Sequence, residues 1–185
     1  MAAWFRGLAG LALGLGQAVA MGVWISHPHV SQAYRQFFIS RTRDCWLPDG
    51  EAAQSRAALA AMTSYSPGSL GTYPACYLLM KGWDGQDAQA AFSVNEDDWL
   101  DLPPPAGARR VTLSFAGLIP RSVMKIRVWV DGRFAGEVVT PQTPRQASIT
   151  LQVPDTSGRD VIISLKPHEL DEAHGIALTH IGWGF

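Results

Sequence analysis

Residues 125–140 read KIRVWVDGRFAGEVVT, and this stretch decides the fold. Ile126, Val128 and Val130 alternate with Lys125, Arg127 and Trp129. A period of two with one apolar face is the pattern of a half-buried strand. Asp131-Gly132 follows, and residues 134–140 resume as a second strand. Asp-Gly between two such runs predicts a tight hairpin, because that turn wants positive φ at both central residues. The same alternation recurs at Val111, Leu113 and Phe115, at Ile149, Leu151 and Val153, and at Val161, Ile163 and Leu165. Further strands are expected at 77–80, 90–94 and 176–181. Strands spaced evenly by turns, with no helices between them, argue for an antiparallel β-sandwich or jelly roll over residues 71–185. Pro103-Pro104-Pro105 cannot lie in a central strand and reads as a connection.

The N-terminal part reads differently. Residues 7–25, GLAGLALGLGQAVAMGVWI, carry no charge and one polar side chain, Gln17. As a helix this run is about 28 Å long, close to the hydrocarbon thickness of a bilayer. Trp4 and Trp24 bracket it at the spacing of the two interfaces. The run predicts a retained single transmembrane helix over residues 1–25. The rival reading is a cleaved signal peptide, with Arg6 as a positive n-region and Ala18-Val19-Ala20 as the cleavage site. Both readings export the rest of the chain to the periplasmic side of a bacterial inner membrane, although Arg35, Arg41 and Arg43 after the run oppose that orientation. Gly10, Gly14, Ala18 and Gly22 recur every four residues and line one helical face, with Gln17 beside it. Small residues at this spacing admit a second helix, from an integral membrane partner or another copy.

Residues 26–70 form a juxtamembrane segment with two helical stretches. Tyr34, Phe37 and Phe38 share a helical face after the Pro28 break, suited to a membrane surface or a partner. Residues 51–62 are Ala-rich and helix-prone, and SPGSLGTYP at 66–74 ends them. Cys45 and Cys76 form either one disulfide closing a long loop or two buried thiols. Two cysteines so far apart do not make a zinc site, and His27 and His29 lack a third ligand. The reading therefore expects no metal and no cofactor.

Charge excludes one class of partner. With 15 basic and 16 acidic residues the net charge is -1, which leaves no footprint for nucleic acid. No phosphate loop, nucleophile elbow or Cys-His nucleophile pattern is present. His168, Glu169, Asp171, Glu172 and His174 form a dense polar cluster, read as a solvated loop since the histidines are not four apart. Glu96, Asp97, Asp98 and Asp101 surround Trp99. Carboxylates beside an indole can hold a sugar by hydrogen bonds and stacking, and paired carboxylates can hydrolyse a glycoside. The plainer reading is an acidic surface loop around a core Trp. Trp129 lies with Lys125 and Arg127, away from the core-facing valines, where it can stack on a ligand or a neighbouring subunit, or equally pack under the Pro-rich connection. Asp84, Asp87 and Asn95 lack the spacing of a calcium loop.

These stretches carry a resemblance. Gly82-Trp83 through Glu96, Asp97, Asp98 and Trp99, then residues 111–115, then Arg127 to Gly132, resemble galactose-binding-like jelly-roll domains. Gly175-Ile176-Ala177-Leu178 with Ile181 is similar to their last strand. The resemblance covers about half the chain and its motifs are generic to β-sandwiches. Such domains occur on bacterial membrane glycosyltransferases and other surface-polysaccharide proteins. The Trp-bracketed anchor, its small-residue stripe and a sandwich without catalytic signatures predict a non-catalytic, membrane-anchored accessory subunit of an envelope complex, and the resemblance links it to polysaccharide or glycoconjugate synthesis or export. A free-standing anchored carbohydrate-binding module is the alternative, and a hydrolase using Asp97 and Asp98 is a second. The candidate ligand residues are Trp83, Asp97, Asp98, Trp99 and Trp129. No catalytic residue is carried over.

Overall fold

A computed structural model describes residues 30–93, 95, 97–117, 124–140, 146–154, 158–168 and 175–185. The expected membrane helix, with Gly10, Gly14, Gln17, Ala18 and Gly22, lies outside the described residues, as do His27, His29 and His174. Among the described residues no helix is long and apolar enough to cross a membrane. Gln32–Phe185 is one compact unit.

A short helix α1 (Gln32–Tyr34) continues into a π-helical turn at Arg35–Ile39. Helix α2 (Asp49–Ala60) starts behind Pro48 with Asp49 and Glu51 in its first turn, where carboxylates complement the helix dipole. Helix α3 spans Thr72–Leu78. Short strands precede the main fold: β1 (Ser64–Tyr65), β2 (Leu79–Lys81) and β3 (Gly85–Gln86). The main strands are β4 (Ala91–Ser93), β5 (Asp98–Leu102), β6 (Arg110–Gly117), β7 (Met124–Val130), β8 (Arg133–Thr140), β9 (Gln146–Gln152), β10 (Val161–His168) and β11 (Ile176–Gly184).

One sheet has the order β3-β4-β11-β6-β9, with β1 added on β11; the other has the order β2-β5-β10-β7-β8. Counting only the eight strands from β4 to β11, the two sheets run 1-8-3-6 and 2-7-4-5, and every pairing is antiparallel. That order is a jelly roll. The hairpin at its heart is the one that Asp131-Gly132 predicts. Both residues have positive φ, at 48° and 77°, the requirement of a type I′ turn. The inner faces bury Leu100, Leu102, Val111, Leu113, Phe115, Ile126, Val128, Ile163, Leu165, Leu178 and Ile181 in one core.

Two expectations change. Residues 77 and 78 close helix α3, and only Leu79–Lys81 forms strand β2. Ala-Cys-Tyr-Leu-Leu-Met is a short apolar run, which periodicity does not assign to helix or strand. Here four successive residues, Ala75 to Leu78, are buried, which a helix packed on all sides permits. The segment before residue 70 is also no separate appendage from Gln32 onward. Leu47, Leu59 and Tyr65 belong to the sandwich core, and β1 pairs with β11.

Cys45 and Cys76 are joined as a disulfide, with Cα atoms 5.9 Å apart and a separation of 31 positions in sequence. It ties the incoming segment to α3. Closing a loop of this length lowers unfolded-chain entropy by the equivalent of about 3–4 kcal/mol. Replacing both cysteines by serine is expected to lower unfolding free energy by about that amount. Urea unfolding of the two proteins checks this, and equal midpoints would contradict it.

Candidate functional site

The outer face of the β2-β5-β10-β7-β8 sheet gathers the residues that the sequence singles out. Alternation along β5 sends Asp98, Leu100 and Leu102 inward, and Trp99 and Asp101 outward. Register then aligns neighbours across the strands. Trp99 on β5 faces Ser164 on β10, Ser164 faces Trp129 on β7, and Trp129 faces Phe134 on β8. The result is a row with three aromatic side chains. Trp99 and Trp129 are partly exposed, and Phe134 is 61% exposed. Trp129 and Phe134 meet edge to face, with ring centroids 5.6 Å apart.

A charged row flanks the aromatic one, two residues along the strands. Lys166 on β10 pairs with Arg127 on β7, which pairs with Glu137 on β8. The Arg127 Nε–Glu137 Oε2 distance is 3.6 Å, and Lys166 Nζ lies 3.8 Å from Asp97 Oδ1. Asp97 Oδ1 also accepts from Ser164 Oγ at 3.0 Å. Lys166 Nζ sits 5.4 Å from the Trp129 ring centroid, a cation–π contact that links the two rows.

On the other side of the aromatic row, Asp101 faces Ile162, and both line a cavity of about 710 Å³. The 30–56 segment contributes Gln36, Arg43, Leu47 and Arg56 to its wall, and Tyr77 and residues 158–160 complete it. Arg43 is the centre of this wall. Its Nη2 donates to Asp101 Oδ2 at 2.7 Å, its Nη1 to the carbonyls of Cys76 and Tyr77, and its Nε to Gln36 Oε1. The guanidinium also lies 5.0 Å from the Tyr77 ring centroid. Asp160 accepts from Tyr77 Oη and, at 2.8 Å, from Arg56 Nε. Burial pushes the Asp101 carboxyl up from the ordinary carboxylate range, with Arg43 opposing and Asp160 adding to the shift.

The structure brings Asp97, Trp99 and Trp129 onto one face. It does not bring Asp98 or Trp83 there. Asp98 is fully buried between the sheets, where its Oδ1 accepts from Ser93 Oγ at 2.6 Å and its Oδ2 has no hydrogen-bond partner. Asp97 and Asp98 therefore point to opposite faces and cannot flank one glycosidic bond, which removes the geometry of the hydrolase alternative. Trp83 instead buttresses the site. Its Nε1–H donates to the Trp99 carbonyl at 3.0 Å, and its ring lines a separate cavity of about 260 Å³ beside the disulfide. Gly82 makes this corner possible, since its φ is +89° and a Cβ there would collide with Asp98 Oδ1. Asp84, Asp87 and Asn95 do not converge. Asp87 Oδ1 accepts backbone N–H groups of Gln89 and Ala90, while Asn95 donates to Asp84 Oδ2 at 3.2 Å. Glu96 lies outside the described residues. Among the described residues no group of three His, Cys, Asp or Glu is placed to hold a metal.

Reading the acidic stretch as a surface loop overlooks β5, although Asp98-Trp99-Leu100-Asp101-Leu102 does carry the apolar alternation of a strand at Leu100 and Leu102. Arg43, Tyr77 and Asp160 carry no signal of a site in the sequence. They come from three distant segments, and no spacing signals their meeting.

No family model and no curated protein matches the chain. Solved structures show a distant similarity. A carbohydrate-binding module, CBM36, in complex with calcium and xylotriose is 16% identical with a TM-score of 0.43, over 66% of this chain and 100% of that one. The CBM36-1 domain of a multidomain xylanase from the hindgut metagenome of Trinervitermes trinervoides is 12% identical with a TM-score of 0.41, over 69% of this chain and 93% of that one. The CBM51-2 and INT domains of Clostridium perfringens ZmpB are 12% identical with a TM-score of 0.39, over 67% of this chain and 28% of that one. The expected resemblance to galactose-binding-like jelly-roll domains holds as one of fold, and the strand order above carries it.

Burial pushes the Asp98 carboxyl up to about 7, against a Ser93 hydrogen bond that lowers it. The folded state thus binds a proton between pH 4 and 7 that the unfolded chain has released. This group's contribution to stability is highest below pH 4 and falls as pH rises towards 7, by on the order of 4 kcal/mol. Asp98→Asn keeps an acceptor for Ser93 and removes the charge. It is expected to be more stable than wild type at pH 8 and to lose that advantage at pH 4. Urea unfolding at the two pH values checks this, and a D98N protein less stable than wild type at pH 8 would contradict it.

Proposed function

We propose that this protein is a non-catalytic glycan-binding module, anchored by its N-terminal run in a bacterial inner membrane with the jelly roll on the periplasmic side. The observation that carries the reading is the Trp99–Ser164–Trp129–Phe134 row between a charged row and a polar cavity. Sugars present apolar C–H faces and a ring of hydroxyls. An aromatic row supplies the stacking surface, and the charged groups on either side supply hydrogen bonds. One strand separates Trp99 from Trp129, so the two lie about 10 Å apart. That is roughly the length of a disaccharide unit, which suits an extended oligosaccharide crossing the strands.

Trp99→Ala or Trp129→Ala is expected to weaken glycan binding by about tenfold, the cost of about 1.4 kcal/mol. Trp46→Ala, in neither the aromatic row nor the cavity lining, is expected to leave it within about twofold. The test is a glycan array probed with the full chain in mild detergent, followed by calorimetry on whatever binds. Absence of binding to every glycan, or equal binding by the Trp99→Ala and Trp129→Ala proteins, would sink the reading.

The Gly10, Gly14, Ala18 and Gly22 stripe, with Gln17, supports a second element of the proposal. In it the anchor docks on a helix of an integral membrane partner in an envelope polysaccharide system, which makes the protein an accessory subunit. Gly14→Leu with Ala18→Leu fills the stripe. The pair is expected to release the protein from a detergent-solubilised complex while leaving it in the membrane fraction. Unchanged co-purification of partners would contradict this.

A further inference from the structure

The side chains just after the apolar run form an aromatic cluster that the glycan face does not use. Tyr34 and Phe38 have ring centroids 4.8 Å apart, as do Phe37 and Phe38. Trp46 closes the group, 6.0 Å from Phe37 and 5.9 Å from Phe38. The cluster is turned outward. Tyr34 is 42% exposed, Phe38 54%, Ile39 60% and Trp46 45%. A π-helical turn, closed by Ser40 N donating to Arg35 O at 2.8 Å, sets Phe37, Phe38 and Ile39 side by side. Arg41 then takes a φ of 49° to bring the chain back towards Trp46. A non-glycine residue in that region costs on the order of 1 kcal/mol. Large apolar groups grouped in this way on a surface mark a contact with something apolar.

We infer that this cluster docks into the interfacial layer of an anionic bilayer. The inference rests on the anchor reading above. Eight residues lie between position 25, the end of the apolar run, and Tyr34. Fully extended, they reach about 30 Å at most. An anchored run therefore keeps the cluster close to the membrane surface. Its composition suits that layer. Tyr and Trp combine an apolar ring with a polar tip, the mixture that collects at headgroup depth. Arg35 and Arg41 are exposed at the cluster's edge, where their charge meets anionic headgroups. Arg43 is turned away into its ion pair, and the Asp44 carboxylate is held by the Gly82 backbone N–H. The docked cluster would hold the jelly roll at a fixed height instead of on a loose tether.

The test uses the full chain reconstituted in vesicles of phosphatidylcholine and phosphatidylglycerol. Because both native cysteines are disulfide-bonded, Ile39→Cys supplies one thiol for an environment-sensitive fluorophore. Arg133→Cys, at the exposed start of β8, supplies the control. The Ile39 label is expected to be blue-shifted and to lose at least half its emission with lipid spin-labelled near the headgroup. The Arg133 label is expected to lose little. Phe38→Ser with Trp46→Ser, or phosphatidylcholine alone, should reduce the quenching at Ile39. Protein that floats with the vesicles but shows an unquenched Ile39 label overturns the docking and leaves the anchor standing. A label that is shielded yet unquenched by spin-labelled lipid means that protein covers the cluster, and it overturns the docking too. Protein that fails to float at all overturns the anchor reading and the docking together.

Discussion

The Arg43 guanidinium is the interaction on which the arrangement depends. It is buried, and it carries five N–H donors that seek acceptors within the protein. The Asp101 carboxylate, the Cys76 and Tyr77 carbonyls and the Gln36 amide take four of them. These partners come from β5, from the C-terminal turn of α3 and from the π-helical turn at Arg35–Ile39. Removing one partner of such a pair leaves a buried charge, at a cost of about 3–5 kcal/mol. The disulfide two residues later fixes the same segment covalently to α3. The 30–60 segment therefore lies on the outer sheet face as a wall, and the cavity beside the aromatic row exists because that wall is there.

What the sandwich contributes is alternation. Each strand of the second sheet must give its even or odd residues to the core, and the other set is left outside. Core demand for Leu100, Ile163, Val128 and Val130 places Trp99, Ser164 and Trp129 outside in one line. The same demand separates Asp97 from Asp98, so a pair that looks like one acidic cluster in sequence divides between solvent and core. Burial raises the proton affinity of the Asp98 carboxyl, with the Asp84 and Asp97 charges adding to it, and that cost is borne by the fold at neutral pH.

Much of the fold is legible in the sequence because its signals are local. The alternation at Val111, Ile126, Ile149 and Val161 and the Asp131-Gly132 turn each need only a few neighbouring residues. The outward position of Trp129 follows from the same count. Helix α3 is not legible, because a short apolar run fits either period and tertiary burial decides it. Strand β5 is hidden by its charges, since Asp98 and Asp101 read as loop until their partners Ser93 and Arg43 are known. The Arg43, Asp101, Asp160 and Tyr77 network depends on long-range contacts alone. The aromatic spacing of Tyr34, Phe37 and Phe38 is visible as one helical face, but the closure of the cluster by Trp46 is not.

The central claim is that the outer face of the β5-β10-β7 strands receives glycan. Indole N–H resonances give each tryptophan its own reporter, and Trp183, buried on strand β11 of the other sheet, is an internal reference. Titrating the full chain in detergent with cellohexaose and chitohexaose, as extended probe glycans, should shift the Trp99 and Trp129 resonances in step and leave Trp183 in place. Shifts confined to other tryptophans, or none with either probe or with any glycan retained on an array, would contradict the account.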